Sequence, residues 1–308
     1  MTYFPEYLKT YPNMDTSSPL HISLNQLPNG YRRHRHDFLE FSFVIEGAGQ
    51  EAINEMKHDM LPGTFTFVLP YQVHELFTQP GKPLKLFNCM FSMDLLMETG
   101  AAEGLHRLFD GAGSVPFIQL NGQEQARMTW LMEDMYKEYG SNEPWRHTML
   151  QARLKEILVL FDRTRRKQGE LATSSSSGAD SGRKDAEARR QAGFVWSIVH
   201  YIHKHYQDEL SLSELAERFS LSVSRMSEVV KETTGQTYSQ FLRDLRLRHV
   251  CSLLASTEMS IAEIAMEVGY GSYKTFSRVF RESKGIAPKD YRRSVALRGK
   301  PAAAQLEG

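Results

Sequence analysis

The densest chemistry near the N-terminus is the run His34-Arg-His36-Asp-Phe-Leu-Glu40, joined further on by His74. His34, His36 and Glu40 share parity, so on a single strand they project from one face, and His74 follows a segment that a hairpin can bring alongside. Three imidazoles and a carboxylate suit a divalent transition metal. The same groups also suit a sensor pocket that holds a small molecule by hydrogen bonds, or a cluster that satisfies only itself. A second chemical set lies near the C-terminus. Ser224, Arg225, Ser227 and Glu228, and then Lys274, Thr275 and Arg278, are side chains able to reach base edges in a DNA groove.

The C-terminal set is placed by an internal repeat. Ser211–Glu217 matches Ser260–Met266 at an offset of 49, and Met226, Val229, Val230, Lys231 and Gly235 match Phe276, Val279, Phe280, Arg281 and Gly285 after one inserted residue. Each copy reads as a serine-capped short helix, a tight turn and a second helix ended by glycine. Glu214 and Glu263 stand where a capping box needs them. These are two helix-turn-helix units, at about 211–235 and 260–285. In each second helix an apolar stripe (Met226/Val229/Val230, Phe276/Val279/Phe280) leaves the opposite face, with the candidate base-reading residues, to enter a groove. Gly269-Tyr270-Gly271 supplies one turn; Ser220-Leu221-Ser222 supplies the other without glycine. Tyr238–Ser256 reads as a connecting helix with Phe241, Leu245, Val250, Leu253 and Leu254 buried. Its rise of roughly 27 Å is close to the roughly 34 Å between successive major grooves on one face of DNA. Arg246, Arg281 and Lys284, with Arg243, Arg248, Lys289, Arg292 and Arg293, are candidate phosphate contacts.

The N-terminal set needs a β scaffold. Short β-rich runs at Leu39–Glu46, Thr64–Leu69 and Lys85–Phe91, punctuated by Gly and Pro, predict an antiparallel β domain from about Leu20 to Phe91. Two amphipathic helices follow, with stripes Met128/Leu131/Met132/Met135/Tyr139 and Leu150/Leu154/Ile157/Leu158/Phe161, as core cover or a dimer surface. Residues 169–191, with the serine run Ser174–Ser177, predict a flexible linker. His58 and His106 are expected at the surface. His200, His203 and His205 fall in a helix, Gly193–Tyr206, whose buried stripe is Val195/Ile198/Val199/Ile202/Tyr206; the histidines are expected on its solvated face.

Composition narrows the class. Residues 191–300 carry 16 Lys+Arg against 12 Asp+Glu, while the whole chain of 308 residues is neutral; the excess is mild, so the DNA reading rests on pattern. No apolar stretch is long enough for a membrane helix. The N-terminus has no secretion-signal pattern, and the two cysteines, Cys89 and Cys251, have no metal spacing, which together lead us to expect a cytoplasmic protein. Phosphate-binding glycine loops, a Ser-centred nucleophile elbow and Cys-x-x-Cys are missing from the sequence.

The segment from Ile261 through Gly269-Tyr-Gly-Ser-Tyr-Lys-Thr-Phe-Ser-Arg278 to Pro288-Lys-Asp-Tyr-Arg292 resembles the C-terminal hallmark of AraC/XylS-type regulators, and Arg246–Leu254 resembles that family's linker helix. The resemblance covers about 193–297. It implies major-groove binding at Ser224, Ser227, Glu228, Lys274, Thr275 and Arg278, usually by an activator that recruits RNA polymerase. The first unit departs from the pattern with small or acidic residues, so the second is expected to read bases more strongly. His34, His36, Glu40, Gly47, Gly63, Pro70 and His74 resemble the two motifs of a cupin barrel, which in such regulators typically senses a ligand, often a sugar.

The expected architecture is multidomain α+β. A cupin-like β-barrel with helices (1–168) senses an effector at His34, His36, Glu40 and His74 and dimerises. An all-α DNA-binding domain (192–297) and a disordered tail (298–308) follow. The expected partners are double-stranded DNA, a small-molecule effector and RNA polymerase, and the expected assembly is a homodimer. No catalytic residue, metal, cofactor or membrane contact is expected. The rivals are a metal-dependent cupin enzyme with a helical appendage and a constitutive DNA-binding protein with an inert barrel.

Overall fold

The computed structural model describes residues 6–8, 10–14, 16, 18–54, 56–92, 95, 115–175, 194–195 and 197–298. It divides into two compact units, Met1–Met14 with Leu20–Ser197 and Asp15–Pro19 with Ile198–Gly308.

The first unit holds β1 (Glu6–Leu8), β2 (Leu20–Leu27), β3 (Tyr31–His36), β4 (Leu39–Glu46), β5 (Gly49–Ile53), β6 (Met56–Met60), β7 (Thr64–Val68), β8 (His74–Thr78), β9 (Leu84–Phe91) and β10 (Phe117–Gln119). They form two five-stranded sheets, β1-β3-β8-β5-β6 and β10-β7-β4-β9-β2. All pairings are antiparallel except β1 with β3, which is parallel and departs from the purely antiparallel expectation. The sheets pack face to face: Val44, Leu84 and Leu86 of one meet Met60 and Leu76 of the other.

The other face of the second sheet is covered by α1 (Gly122–Tyr139) and α2 (Arg146–Ser175). This explains why β4 is buried on both faces instead of alternating. Phe161 of α2 sits with its ring 5.0 Å from Phe65 and 5.7 Å from Phe67 of β7. Nine of the ten predicted stripe residues, all but Tyr139, are buried, so the stripes are core cover. Helix α2 continues to Ser175, seven residues into the segment read as linker. Just before this extension, Gln168 Nε2 donates to Gln119 O at 2.9 Å. The rest of that segment, the tail from residue 299 and His106 lie outside the described residues.

The second unit is helical: α3 (197–204), α4 (Leu212–Arg218), α5 (Val223–Thr234), α6 (Tyr238–Ser256), α7 (Ile261–Glu267), α8 (Tyr273–Lys284) and α9 (Pro288–Arg298). Both capping boxes form, Ser211 with Glu214 and Ser260 with Glu263. Ser222 and Ser272 cap the second helices, and Gly235 and Gly285 close them in the left-handed conformation. The two turns solve one backbone problem with different residues. Ser220 takes φ +54 where its repeat partner Gly269 takes φ +84. Only the second position demands glycine on packing grounds, since a Cβ on Gly269 would lie 2.3 Å from Gln207 O.

Helix α6 buries more than its predicted stripe. Leu247 and Cys251 are buried with Phe241, Leu245, Val250 and Leu254, whereas Leu253 is only partly buried. The additional buried positions belong to the core of the second helix-turn-helix, so α6 serves two cores. His203 of α3 corrects the expectation of a solvated histidine face. It is 8% exposed, with Nδ1 2.9 Å from Val199 O and its ring 5.6 Å from Phe241. Burial, reinforced by Arg248, lowers its pKa to about 3 despite the bond to Val199, so it packs as a neutral ring. No helix among the described residues is long and apolar enough to cross a membrane.

Candidate functional site

The four N-terminal residues converge, although not by the predicted route. His34 and His36 end β3, whereas Glu40 lies on β4 of the other sheet, with Asp37-Phe38 as the corner between them. Shared parity on one strand is therefore not what unites them; the chain crossing from sheet to sheet is. His74 stands directly across from His34 in the β3–β8 ladder, but no hairpin joins these strands: β4 to β7 lie between them in the chain, and the sheet order brings them together. All four are buried. His36 Nε2 is 3.6 Å from Glu40 Oε2, and the His34 and His74 rings are 4.0 Å apart. His34, Glu40 and His74 offer ligand atoms within 4.8 Å of one another, a set able to hold a metal ion.

Two further buried groups extend the cluster. Glu51 on β5 approaches His74 Nδ1 at 3.0 Å and His58 Nε2 at 3.4 Å. His58 continues to Thr66 Oγ1 at 3.1 Å and stacks on Phe117 of β10 at 4.0 Å. The surface expectation for His58 is thus wrong: it is 7% exposed and lies inside the sandwich. A sequence signal existed. Gly49, Glu51 and Ile53 share the inward parity of β5, so Glu51 is a carboxylate at a core position. Asn88 also joins, donating to Glu40 Oε1 at 2.9 Å.

The cluster divides its charges. Burial lowers His34 to about 3, with His74 adding to the effect, and burial holds His36 well below the ordinary histidine range. Burial would raise Glu51, but its contacts with His58 and His74 outweigh this and bring it to about 2. Burial opposes a charge on His74, yet Glu51 and Glu40 raise it overall. Burial also raises Glu40, partly offset by His74 and Asn88. The shifts thus favour neutral rings at His34 and His36 and favour the proton on His74 beside the Glu51 carboxylate.

In the second unit, Lys274, Thr275 and Arg278 lie exposed on α8, opposite the fully buried Phe276 and Phe280. Arg278 Nη1 meets Glu282 at 3.0 Å, and Thr275 is oriented by the Ser272 cap. On α5, Ser224, Arg225 and Glu228 are exposed and Ser227 is half-buried. Arg225 is bound to Glu228 at 3.2 Å and lies 3.7 Å from Glu232, so much of this head's charge is internally neutralised. Arg281 is exposed and Lys284 half-buried in the last turn of α8. Arg246 is placed differently from its expected phosphate role. Its guanidinium donates to Tyr206 O at 2.7 Å and Asp208 O at 2.9 Å, tying the end of α3 to α6.

Two family models match the chain: a helix-turn-helix domain over residues 215–294 and an AraC-like ligand binding domain over residues 22–137. The HTH-type transcriptional activator RhaS of Yersinia pestis (strain Pestoides F) is 25% identical over 279 residues, covering 90% of this chain and 94% of that protein. The HTH-type transcriptional activator RhaR of Mannheimia succiniciproducens is 22% identical over 275 residues, covering 89% and 92%. The C-terminal domain of AraT, a response regulator from Geobacillus stearothermophilus, is 32% identical over 37% of this chain and 93% of that chain, with a TM-score of 0.33.

Proposed function

The chain belongs to the AraC family of helix-turn-helix transcription regulators, and on that premise we propose that it is a homodimeric cytoplasmic activator whose sandwich interior binds a small polar effector, a sugar or similar polyol. DNA binding through the helix-turn-helix units and a ligand-binding N-terminal domain follow from the family, which sets the chain among regulators and not enzymes. The finer reading is carried by one observation: a buried polar cluster, His34, His36, Glu40 and His74, inside the domain matched as ligand-binding. Histidine nitrogens and carboxylate oxygens there suit the hydroxyls of a polyol. The relatives named as transcriptional activators support activation, which on our reading works by recruitment of RNA polymerase.

A route from the buried cluster to the helices runs through the His74–Glu51–His58 chain to Thr66 and Phe117. Phe117 lies on β10, three residues before Leu120, where the chain approaches the Asn121 cap of α1. An effector that moves His74 therefore shifts the strand that leads into α1. On DNA, Lys274, Thr275 and Arg278 read bases, while Arg281 and Lys284 bind phosphates.

The asymmetry between the heads is the part most open to test. Arg278→Ala should weaken binding to the preferred site by about 1–3 kcal/mol, roughly 5–150-fold, and relax base preference at its contact. Ser227→Ala, which removes one half-buried hydroxyl, should change binding less than about threefold. Binding selection from a randomised site with both variants measures this. Equal losses from the two would overturn the assignment of readout to the second head.

A further inference from the structure

We propose that Arg246 is a positioning residue for DNA recognition. It locks the loop that opens the first helix-turn-helix onto the turn of the second, and so sets how many base pairs separate the two stretches that the heads read. The proposal rests on the reading that both heads engage DNA, and it replaces the sequence-based expectation of a phosphate contact at Arg246.

The heads share α6, but a shared helix leaves the seat of each head on it to that head's own core. A second link joins them. Residues 205–210 connect α3 to α4 and lead straight to the Ser211 cap of the first head, yet this loop is docked on the second. Tyr206 packs against the second head's core and stacks on His249 of α6 with ring centroids 3.8 Å apart. Gln207 Nε2 donates to Glu267 Oε1, at the end of α7, at 3.2 Å. Gln207 O is pressed so closely on the turn that a Cβ at Gly269 would lie 2.3 Å from it and 2.9 Å from Arg246 Nη2.

Arg246 closes this link with one planar group. Its Nε and Nη2 donate to Tyr206 O and Asp208 O, the latter three residues before Ser211. The guanidinium carbon stands 5.7 Å from the ring centroid of Tyr270, two residues before the Ser272 cap of α8. The lead-in of one head and the turn that aims the other's reading helix thus meet on the same side chain. A rigid fork can hold two carbonyls and lay its face on a ring at once. A lysine supplies the charge but neither the fixed donors nor the flat face. The Nε–Nη2 edge is also spent on carbonyls, so it does not grip a phosphate. On DNA, one base pair inserted between the two stretches turns and separates them by about a tenth of a helical turn. Clasped heads resist that change; heads joined by α6 alone follow it.

The test uses full-length protein and a DNA site selected by the wild type from a randomised library. Affinity is measured on that site and on versions with one base pair inserted or removed between the two protected stretches. The wild type should lose about 10-fold on either change, a penalty like that of a mismatched base pair. Arg246→Gln and the charge-preserving Arg246→Lys should bind the original site more weakly, yet lose less than about threefold on the altered spacings. Thermal unfolding identifies a variant that fails to fold, in which case the milder Arg246→Lys decides. Spacing preference kept in full by the folded variants would overturn the clasp and leave two-headed binding standing. So would a uniform loss on all spacings in Arg246→Gln with a salt dependence lowered by about one phosphate, which is the mark of a backbone contact. A wild type indifferent to spacing would overturn two-headed binding itself, and the clasp with it.

Discussion

Phe276→Ala should destabilise the second unit by about 3–5 kcal/mol, the range for emptying a buried aromatic site. Phe276 is fully buried, with ring centroids 5.4 Å from Tyr270 and 5.8 Å from Phe280, and its cluster draws on the turn, α7, α8 and the far side of α6. Few side chains can collapse into the space, because Phe280 is itself braced against Tyr291 at 5.5 Å. The readout is a denaturant midpoint, with DNA binding beside it. A domain of this size is typically stable by only about 5–15 kcal/mol, so the variant should bind DNA poorly at 37 °C while the first unit of the chain keeps its β signal. A loss below about 1 kcal/mol would show that α8 does not depend on this core for its seat.

A comparable loss is expected in the first unit from Glu51→Ala. The substitution removes the carboxylate that lies 3.0 Å from His74 and 3.4 Å from His58, both buried. Breaking a buried ion pair from one side costs about 3–5 kcal/mol, since the remaining charge or donor keeps its desolvation penalty. The sign of the pH dependence follows from the two shifts. Glu51 is depressed to about 2, so its contribution is full above the unfolded carboxylate range and is lost as pH falls toward 2. His74 is raised, so its contribution is full below the unfolded histidine value near 6.5 and is lost as pH rises through the folded one. The pair therefore stabilises most in mildly acidic solution. Thermal unfolding from pH 4 to 8 should show a wild-type margin over Glu51→Ala that is widest near pH 5–6. A margin that is flat with pH would remove the ion pair from the account.

How much of this was legible depended on whether the signal was local. Capping boxes, glycine C-caps and the two turns are local chemistry, and Ser211, Ser260, Gly235 and Gly285 announced them. The span of α6 was equally plain from its apolar periodicity, but the burial of Leu247 and Cys251 was not, because one helix serves two cores. In the sandwich, the residue types of His34, His36, Glu40 and His74 marked the site while their parity misled, since parity says nothing about a chain that changes sheets at Asp37-Phe38. His58 and His203 were misplaced for a related reason. A lone histidine has no sequence mark of its partner, and those partners, Glu51 with Thr66 and the Val199 carbonyl, are set by cross-strand register and helix packing. Arg246 looked like any basic residue on a helix until the carbonyls of Tyr206 and Asp208 appeared beside it.

The control we propose, in which ligand state in the sandwich sets how two unlike reading heads engage DNA, is read out by methylation-protection footprinting of the intact protein. The DNA is the promoter region beside its own gene, probed with and without members of a sugar panel. The expected pattern is two protected windows per chain about one helical turn apart, the window lost in Arg278→Ala being the stronger, and the pair changing in occupancy or spacing when the effective sugar is added. Identical protection with every sugar and with none, or a single window indifferent to Arg278→Ala, would contradict it.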